Sequence, residues 1–423
     1  MNILWIINLP LPEASNLMNK EVIPFGGWLV NASDFLSKSN NVNLTIAFPH
    51  KDVSGYKVIE GKRITYYAFS ANTNNRKISD TKKLLSILNH AKPDIVHIQG
   101  TEYPHSLAFL QLCKERKLKH VISIQGLTSI IAKHYLSNLP LSAIKKITTR
   151  DFIKQDNILQ QQEKFRQRGL FEIEALSIAD NIIGRTTWDK ACTTQVNPYA
   201  SYYKCNETLR NEFYKNEWSL KECEKYSIFI SQAYYPIKGL HNMLDALFIL
   251  KKKYPSVKLY VAGHNFLKSD TIRDKLRHTS YAKYIIKLVH KHDLENHVCF
   301  TGVLNEKEMC ERFLNSHTFI NPSTIENESN SVSEAKLLGV PTIASYVGGV
   351  TDRIKSGYDG YLYQHDAPYM LAFYVDKIFS NDKLALELSE NARLSALKIH
   401  NRKENTEQLL NIYNNIFEKK VKK

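Results

Sequence analysis

Short runs of β-branched and aliphatic residues alternate with helical stretches through the first half of the chain. Residues 3–8, 42–47, 64–69, 94–99, 121–124 and 181–184 predict strands, and 27–37, 81–91, 106–117 and 165–179 predict helices between them. After a Tyr-, Asn- and Lys-rich stretch, 197–225, the rhythm returns. Strands are predicted at 227–231, 258–262, 298–301, 318–321 and 342–345, with helices at 240–252, 282–292, 306–315 and 331–338. Three helices follow, at 369–379, 383–398 and 403–417. Apolar strands separated by helices predict parallel, doubly wound sheets. At 423 residues the chain exceeds what one core usually supports. The expectation is an α/β protein of two Rossmann-like domains, at 1–206 and 207–400, facing across a cleft. A C-terminal helix with a basic tail, 401–423, packs back on the first.

Composition narrows the class. Apolar content of 43% and charged content of 23% suit a folded domain, and no run of eighteen apolar residues predicts a membrane span. The first apolar run lacks a basic leader and reads as a buried strand, so the expected location is the cytoplasm, with peripheral membrane contact as an option. The six cysteines show no C-x-x-C pair and read as reduced, structural thiols. The net charge is +15, and residues 1–206 carry +10 of it. Such an excess favours anionic partners. No basic–aromatic motif, zinc pattern or reading helix argues for nucleic acid. Residues 139–168 interleave Leu141, Ile144, Ile147, Phe152 and Ile153 with Lys145, Lys146, Arg150 and Lys154. That pattern fits the surface of an anionic membrane. It equally fits a helix packed on its domain with a basic outer face.

The densest candidate chemistry lies in residues 321–350. A strand runs into a polar loop, the loop opens a helix, and the helix stops at Gly339 ahead of Pro341. Glu326 and Glu334 bracket the loop with seven residues between them. A helix N-terminus beside a strand end is suited to phosphorylated ligands, through the N–H groups near Asn330, Ser331 and Val332. Carboxylates accept hydrogen bonds from sugar or ribose hydroxyls. Locally, Ser331 and Glu334 also read as a capping box, and Glu326 as a solvated loop carboxylate. Lys238 precedes a helix, where its ammonium meets a diphosphate or simply sits in a Lys-Gly turn. Gly26-Gly27 after the first strand lets a ligand approach the backbone or merely ends a loop. No D-x-D occurs, and His290 and His292 read as solvated, so no metal is expected.

These residues together resemble the retaining glycosyltransferases of the GT-B fold, and among them glycosyltransferase family 4. The resemblance spans nearly the whole chain and is strongest at 227–365. It rests on Glu326 to Glu334, with Asn330 between them, running through Glu334-Ala335 to Leu338-Gly339-Val340-Pro341. Leu259-Tyr260-Val261-Ala262-Gly263, Phe300-Thr301-Gly302-Val303, the 206–213 segment and Gly26-Gly27 join it. The resemblance implies that Glu326 contacts the donor sugar, Glu334 the ribose and Lys238 the phosphates. It adds Gly26, Gly27, Gln232, Gly263, Thr301 and Gly302 to the donor side, with Asn330, Ser331 and Val332 at the helix start. Three positions depart from the family: Glu207 stands where a Gly is usual, Gln232 where an Arg is usual, and Gln125-Gly126 where a His is usual. His97, Glu102, Gln125, Gly126, His134 and Arg185 are the candidates on the acceptor side.

The resulting expectation is a metal-independent retaining glycosyltransferase without a cofactor. It moves a sugar from a nucleotide-diphosphate donor to a surface polysaccharide, lipopolysaccharide or lipid-linked glycan. Glu326 and Lys238 carry the chemistry. The first domain takes the acceptor and the second the nucleotide. The alternatives are a nucleotide-sugar epimerase of the same fold and a basic membrane- or nucleic-acid-binding module.

Overall fold

The computed structural model describes residues 1–22, 26–70, 81–267, 271 and 276–419. The chain forms two compact units. One comprises Met1–Ile130, Arg166–Leu209 and His400–Lys423, the other Ile131–Phe165 and Arg210–Ile399. The expected cuts after 206 and 400 therefore move by a few residues, and residues 131–165 go to the second unit rather than the first. Polar anchors account for this. His241 meets the Ser137 carbonyl oxygen at 2.9 Å, Ser137 Oγ and Thr324 Oγ1 are 2.9 Å apart, and Ser280 N–H donates to Asp151 at 2.9 Å. Such contacts join residues about 100 or more positions apart and leave no local pattern.

The first unit holds an eight-stranded sheet. Its strands are β1 (Asn2–Ile6), β2 (Asn43–Pro49), β3 (Tyr56–Glu60), β4 (Thr65–Phe69), β5 (Ile95–Gln99), β6 (Lys119–Ser123), β7 (Asn181–Gly184) and β8 (Ser201–Lys204). The order is β3-β4-β2-β1-β5-β6-β7-β8, parallel except for β3. Residues Ile3 to Ile6 are buried on both faces of β1, as a covered parallel sheet requires. Side chains alternate: Leu4 and Ile6 join one core with Val96 and Phe109, while Ile3 and Trp5 join the other with Ile46 and Tyr413. Tyr413 lies on the C-terminal helix Arg402–Glu418, and the Trp5 indole N–H donates to its hydroxyl at 2.9 Å. The basic tail beyond Lys419 lies outside the described residues.

The second unit holds six strands: β9 (Glu224–Ile230), β10 (Lys258–Val261), β11 (Val298–Phe300), β12 (Ser316–Asn321), β13 (Thr342–Ser345) and β14 (Tyr361–Tyr363). All are parallel in the order β11-β10-β9-β12-β13-β14. The chain builds outward from β9 to β11, then returns to the other side of β9. The crevice between the ends of β9 and β12 is thus the topological switch point of this sheet, and β1 and β5 form the corresponding point in the first.

Several elements differ from the sequence pattern. β3, β8 and β14 were not expected. β3 mixes Lys57 and Glu60 into an edge strand where Ile59 alone is buried, and β8 falls inside the stretch read as irregular. The helix Ile158–Ile178 begins seven residues before the expected 165. Asn157 and Gln160 cap it reciprocally at 2.9 and 3.0 Å, a capping box with amide side chains. Residues 139–157 form two short helices, Leu141–Ile144 and Thr149–Lys154. The packed helix with a basic outer face is corrected here, because Phe152 and Ile153 are exposed while Thr148 and Asp151 are buried. Among the described residues no helix is long and apolar enough to cross a membrane.

Three buried histidines set an acid limit on stability. His97, His105 and His241 hydrogen-bond to Tyr413, Asn8 and Ser137. Burial holds their pKa values down to about 3, 3 and 4, against about 6.5 in an unfolded chain. Below about pH 6.5 the unfolded chain binds protons that the folded chain refuses. Stability present above that pH is therefore lost as pH falls toward the folded values. Each histidine contributes about 1.4 kcal/mol per pH unit, so the three remove about 4 kcal/mol per unit. Urea midpoints should drop steeply between pH 6 and pH 5; a flat profile there would contradict neutral burial of these rings.

Candidate active site

The ends of β9 and β12 supply the crevice. About 270 Å3 of open space is lined by Ser231, Gln232, Lys238, Asn321, Pro322, Ser323, Glu326, Ser329 and Ser331. Lys238 and Glu326, far apart in sequence, meet here with Nζ and Oε1 2.5 Å apart. Ser323 Oγ donates to the same carboxylate oxygen at 2.8 Å. Gln232 lies at the mouth, exposed. Ser231 Oγ donates to Ser331 Oγ at 2.8 Å and ties the end of β9 to the helix start.

Two glycines hold this geometry. Gly239 has φ of +71°, and a Cβ there would overlap the Pro322 carbonyl oxygen. The Lys-Gly turn therefore sits directly on the end of β12, which is how Lys238 reaches Glu326. Gly348 does the same for Glu326 itself: a Cβ at Gly348 would overlap the Glu326 carbonyl oxygen, and Gly349 N–H donates to that oxygen at 3.1 Å. The sequence reading gave Gly348 and Gly349 no role. A Gly-Gly pair closely following a buried strand was the available signal.

The helix Asn330–Leu338 starts differently from expectation. Its N-cap is Ser329, whose hydroxyl accepts from Val332 N–H, and Asn321 donates to that hydroxyl at 2.6 Å. The capping box of Ser331 with Glu334 does not form. Val332 N–H is spent on the cap, whereas the N–H groups of Asn330 and Ser331 meet no acceptor among the described residues and face the anion-favouring end of the helix. Glu334 lies one turn further in, buried, with both oxygens accepting from Arg210 Nε and Nη2 at 2.7 Å. Burial pushes the Glu334 carboxyl upward, and the guanidinium pulls the other way. Arg210 also stacks over Phe213, 4.6 Å from the ring centroid. Arg210 was missed, because nothing in the sequence around it points to residue 334.

Behind the crevice lie two buried ion pairs, Arg353 with Glu328 at 2.5 Å and Lys336 with Asp359 at 2.7 Å. They brace the helix and the loop before it. At the far side of the same strand ends, Gly263 and Gly302 form a bridge, with Gly263 N–H donating to the Gly302 carbonyl at 2.9 Å. Both have positive φ and open space where a side chain would be, so a flat ligand can approach the backbone there. Thr301 adjoins them, its hydroxyl on the Gly302 carbonyl at 3.0 Å. The structure therefore brings Gln232, Lys238, Gly263, Thr301, Gly302, Glu326, Asn330, Ser331 and Glu334 to one edge of one sheet.

The acceptor-side candidates are less coherent. His97, Gln125 and Arg185 line a crevice of about 590 Å3 in the first unit, together with Trp5, Trp28 and Gln99. Arg185 pairs with Glu207 at 2.7 Å and donates to the Gln125 carbonyl at 3.1 Å. His97 is held between Tyr413 and Ser123, both at 2.6 Å. The Gly126 carbonyl accepts from Thr101 at 3.5 Å. Burial pushes the Glu102 carboxyl upward. His134, by contrast, belongs to the second unit. Gly26 and Gly27, expected on the donor side, belong to the first unit and do not line the Lys238–Glu326 crevice; Gly26, in the left-handed region at φ +78°, precedes the helix that starts at Gly27, and residues 23–25 lie outside the described residues. His290 and His292 have separate partners, Glu295 and Asp245. Among the described residues no group of three or more His, Cys, Asp or Glu side chains is placed to hold a metal.

Residues 210–395 match the family model "Glycosyl transferases group 1", a span that includes every second-unit residue of the crevice. An uncharacterized glycosyltransferase of Methanocaldococcus jannaschii is 22% identical over 200 residues, 47% of each chain. The chain spans about half the length of the curated relatives it matches. Among solved structures, Anabaena HepE in complex with UDP aligns with a TM-score of 0.67 at 13% identity, over 98% of this chain and 100% of that one. WaaG, a glycosyltransferase involved in lipopolysaccharide biosynthesis, aligns at 0.60 and 13%, over 97% and 99%. At these identities the structural likeness speaks for the fold. The chain thus has the two parallel-sheet α/β units of the GT-B fold, with a segment similar to the glycosyl transferases group 1 over 210–395.

Proposed function

We propose that the protein is a retaining, metal-independent glycosyltransferase that uses a nucleotide-diphosphate sugar and a surface-glycan or lipid-linked acceptor. The observation that carries the reading is the Lys238–Glu326 pair at the switch-point crevice, beside the start of the helix Asn330–Leu338. The diphosphate would take the Lys238 ammonium and the Asn330 and Ser331 N–H groups. Glu326, released from Lys238, would accept the sugar hydroxyls. Glu334 keeps lone pairs beyond the two that Arg210 uses, enough for a ribose diol. The base would lie by Gly263, Thr301 and Gly302. Charge on the departing diphosphate is then stabilised by groups already in place, the most effective form of electrostatic catalysis. Attack from the same face would retain configuration. The acceptor would enter the first-unit crevice by Gln125 and Arg185. The match to the glycosyl transferases group 1 model over 210–395 favours transfer over the epimerase alternative, and the involvement of the structurally similar WaaG in lipopolysaccharide biosynthesis supports a glycan acceptor.

Thermal-shift titration with UDP, GDP and ADP and their sugars tests the donor half. A true donor nucleotide should raise Tm in proportion to the logarithm of its concentration, and Lys238→Ala should weaken that response. If no nucleoside diphosphate shifts Tm, the reading fails.

A further inference from the structure

We propose that residues 141–154 dock on the surface of an anionic lipid bilayer. The observation is an inverted short helix. In Thr149–Lys154 and its cap, the polar residues Thr148 and Asp151 are buried, while Phe152 is 76% and Ile153 70% exposed. Leu141 at 68% and Ile147 at 59% extend the apolar surface. Large aliphatic and aromatic side chains normally leave water on folding, and a cluster of them outside marks a contact.

The inversion is built in rather than a frayed end. Thr148 and Asp151 form a complete capping box. Thr148 Oγ1 donates to the His278 carbonyl at 2.9 Å, and Ser280 N–H donates to the Asp151 carboxylate at 2.9 Å. Asp151 thus lies at the N-terminus of the helix Ser280–Lys291, where a carboxylate is stabilised. In the preceding helix, Ala143 and Ile144 face inward, leaving Leu141 outside. The polar anchors fix which face turns out, and that face is the apolar one.

Charge selects the occupant. Lys145, Lys146 and Lys154 are exposed and form no ion pair with a described residue. The nearby acids do not offset them: Asp151 is buried, and Asp156 is held by Arg150 at 2.6 Å. Protein interfaces deplete lysine around their apolar centres. A bilayer interface takes apolar tips into the acyl boundary while lysines lie among anionic headgroups.

Co-sedimentation of the full chain with vesicles tests this. Phosphatidylglycerol-containing vesicles should retain the protein, pure phosphatidylcholine vesicles should not, and high salt should release it. Lys145→Glu/Lys146→Glu should weaken binding about thirtyfold or more, and Phe152→Ser/Ile153→Ser at least about tenfold. These side chains are exposed, so circular dichroism should be unchanged in both variants. Equal pelleting with and without vesicles, or binding indifferent to both variants, overturns the proposal. A soluble dimer abolished by Phe152→Ser/Ile153→Ser, with no vesicle binding, overturns it too and assigns the patch to a second copy.

Discussion

Glu326→Gln and Lys238→Ala are each expected to lower kcat/KM for sugar transfer by about 10²–10³, with folding intact. The size follows from removing one preorganised charge or donor aimed at a developing charge. Glu326→Gln keeps the shape and the contact with Ser323 but loses the anion that holds Lys238. Lys238→Ala removes the cation from the start of the helix Asn330–Leu338. Because Gln232 stands where the resembling family has an Arg, no second cation lines that strand end among the described residues to take over from the Lys238 ammonium. Both side chains are partly exposed, so their pair is worth about 1 kcal/mol or less to stability. The measurement is steady-state release of nucleoside diphosphate coupled to acceptor labelling, with urea midpoints alongside. Near-normal turnover in both variants would remove this crevice from the chemistry. A large loss in Lys238→Ala alone would make Glu326 a holder of the lysine rather than a contact of the sugar.

The strands that reach this crevice were readable because parallel strands covered on both faces are written as continuous apolar runs. Residues 228–230 and 319–320 are such runs, and each ends within a few residues of a crevice side chain, Gln232 and Ser323. The crevice loop was readable for a different reason: a polar loop, a helix start and a Gly stop occur together in thirty residues. What stayed hidden was pairing across the sequence. Arg210 and Glu334 are separated by 124 positions, and a local rule, Ser followed by Glu three residues later, supplied a competing account of Glu334. That rule failed because Ser329, two residues earlier, is positioned by Asn321 at the end of β12. The outward face of residues 141–154 was ambiguous for the same reason. Periodicity identifies an apolar face, but the anchors Thr148 and Asp151, set against residues 278–280, decide whether it turns inward.

Arg210→Met should destabilise the fold by about 3–5 kcal/mol, the cost of leaving a buried carboxylate without its counterion. Glu334 is only 4% exposed and takes two charge-assisted hydrogen bonds from one guanidinium, the bidentate geometry that a lysine cannot reproduce. With Arg210 gone, Glu334 can relieve the cost only by taking up a proton. The stability lost relative to the parent should therefore shrink as pH is lowered from 7 toward 6, since the buried histidines act on both proteins and only the variant gains a proton at Glu334. The companion variant Arg210→Met/Glu334→Leu removes both charges and should recover most of the loss, since apolar replacement of a buried pair is often neutral. The double-mutant cycle then gives a coupling of about 2 kcal/mol or more, whereas simple additivity would mean the pair is not joined in solution. Function separates the two roles of Glu334. If its remaining lone pairs hold the ribose, the recovered double variant is stable yet binds the nucleotide weakly, with KM raised and kcat little changed. If nucleotide binding returns with stability, Glu334 serves only to seat Arg210 against the helix.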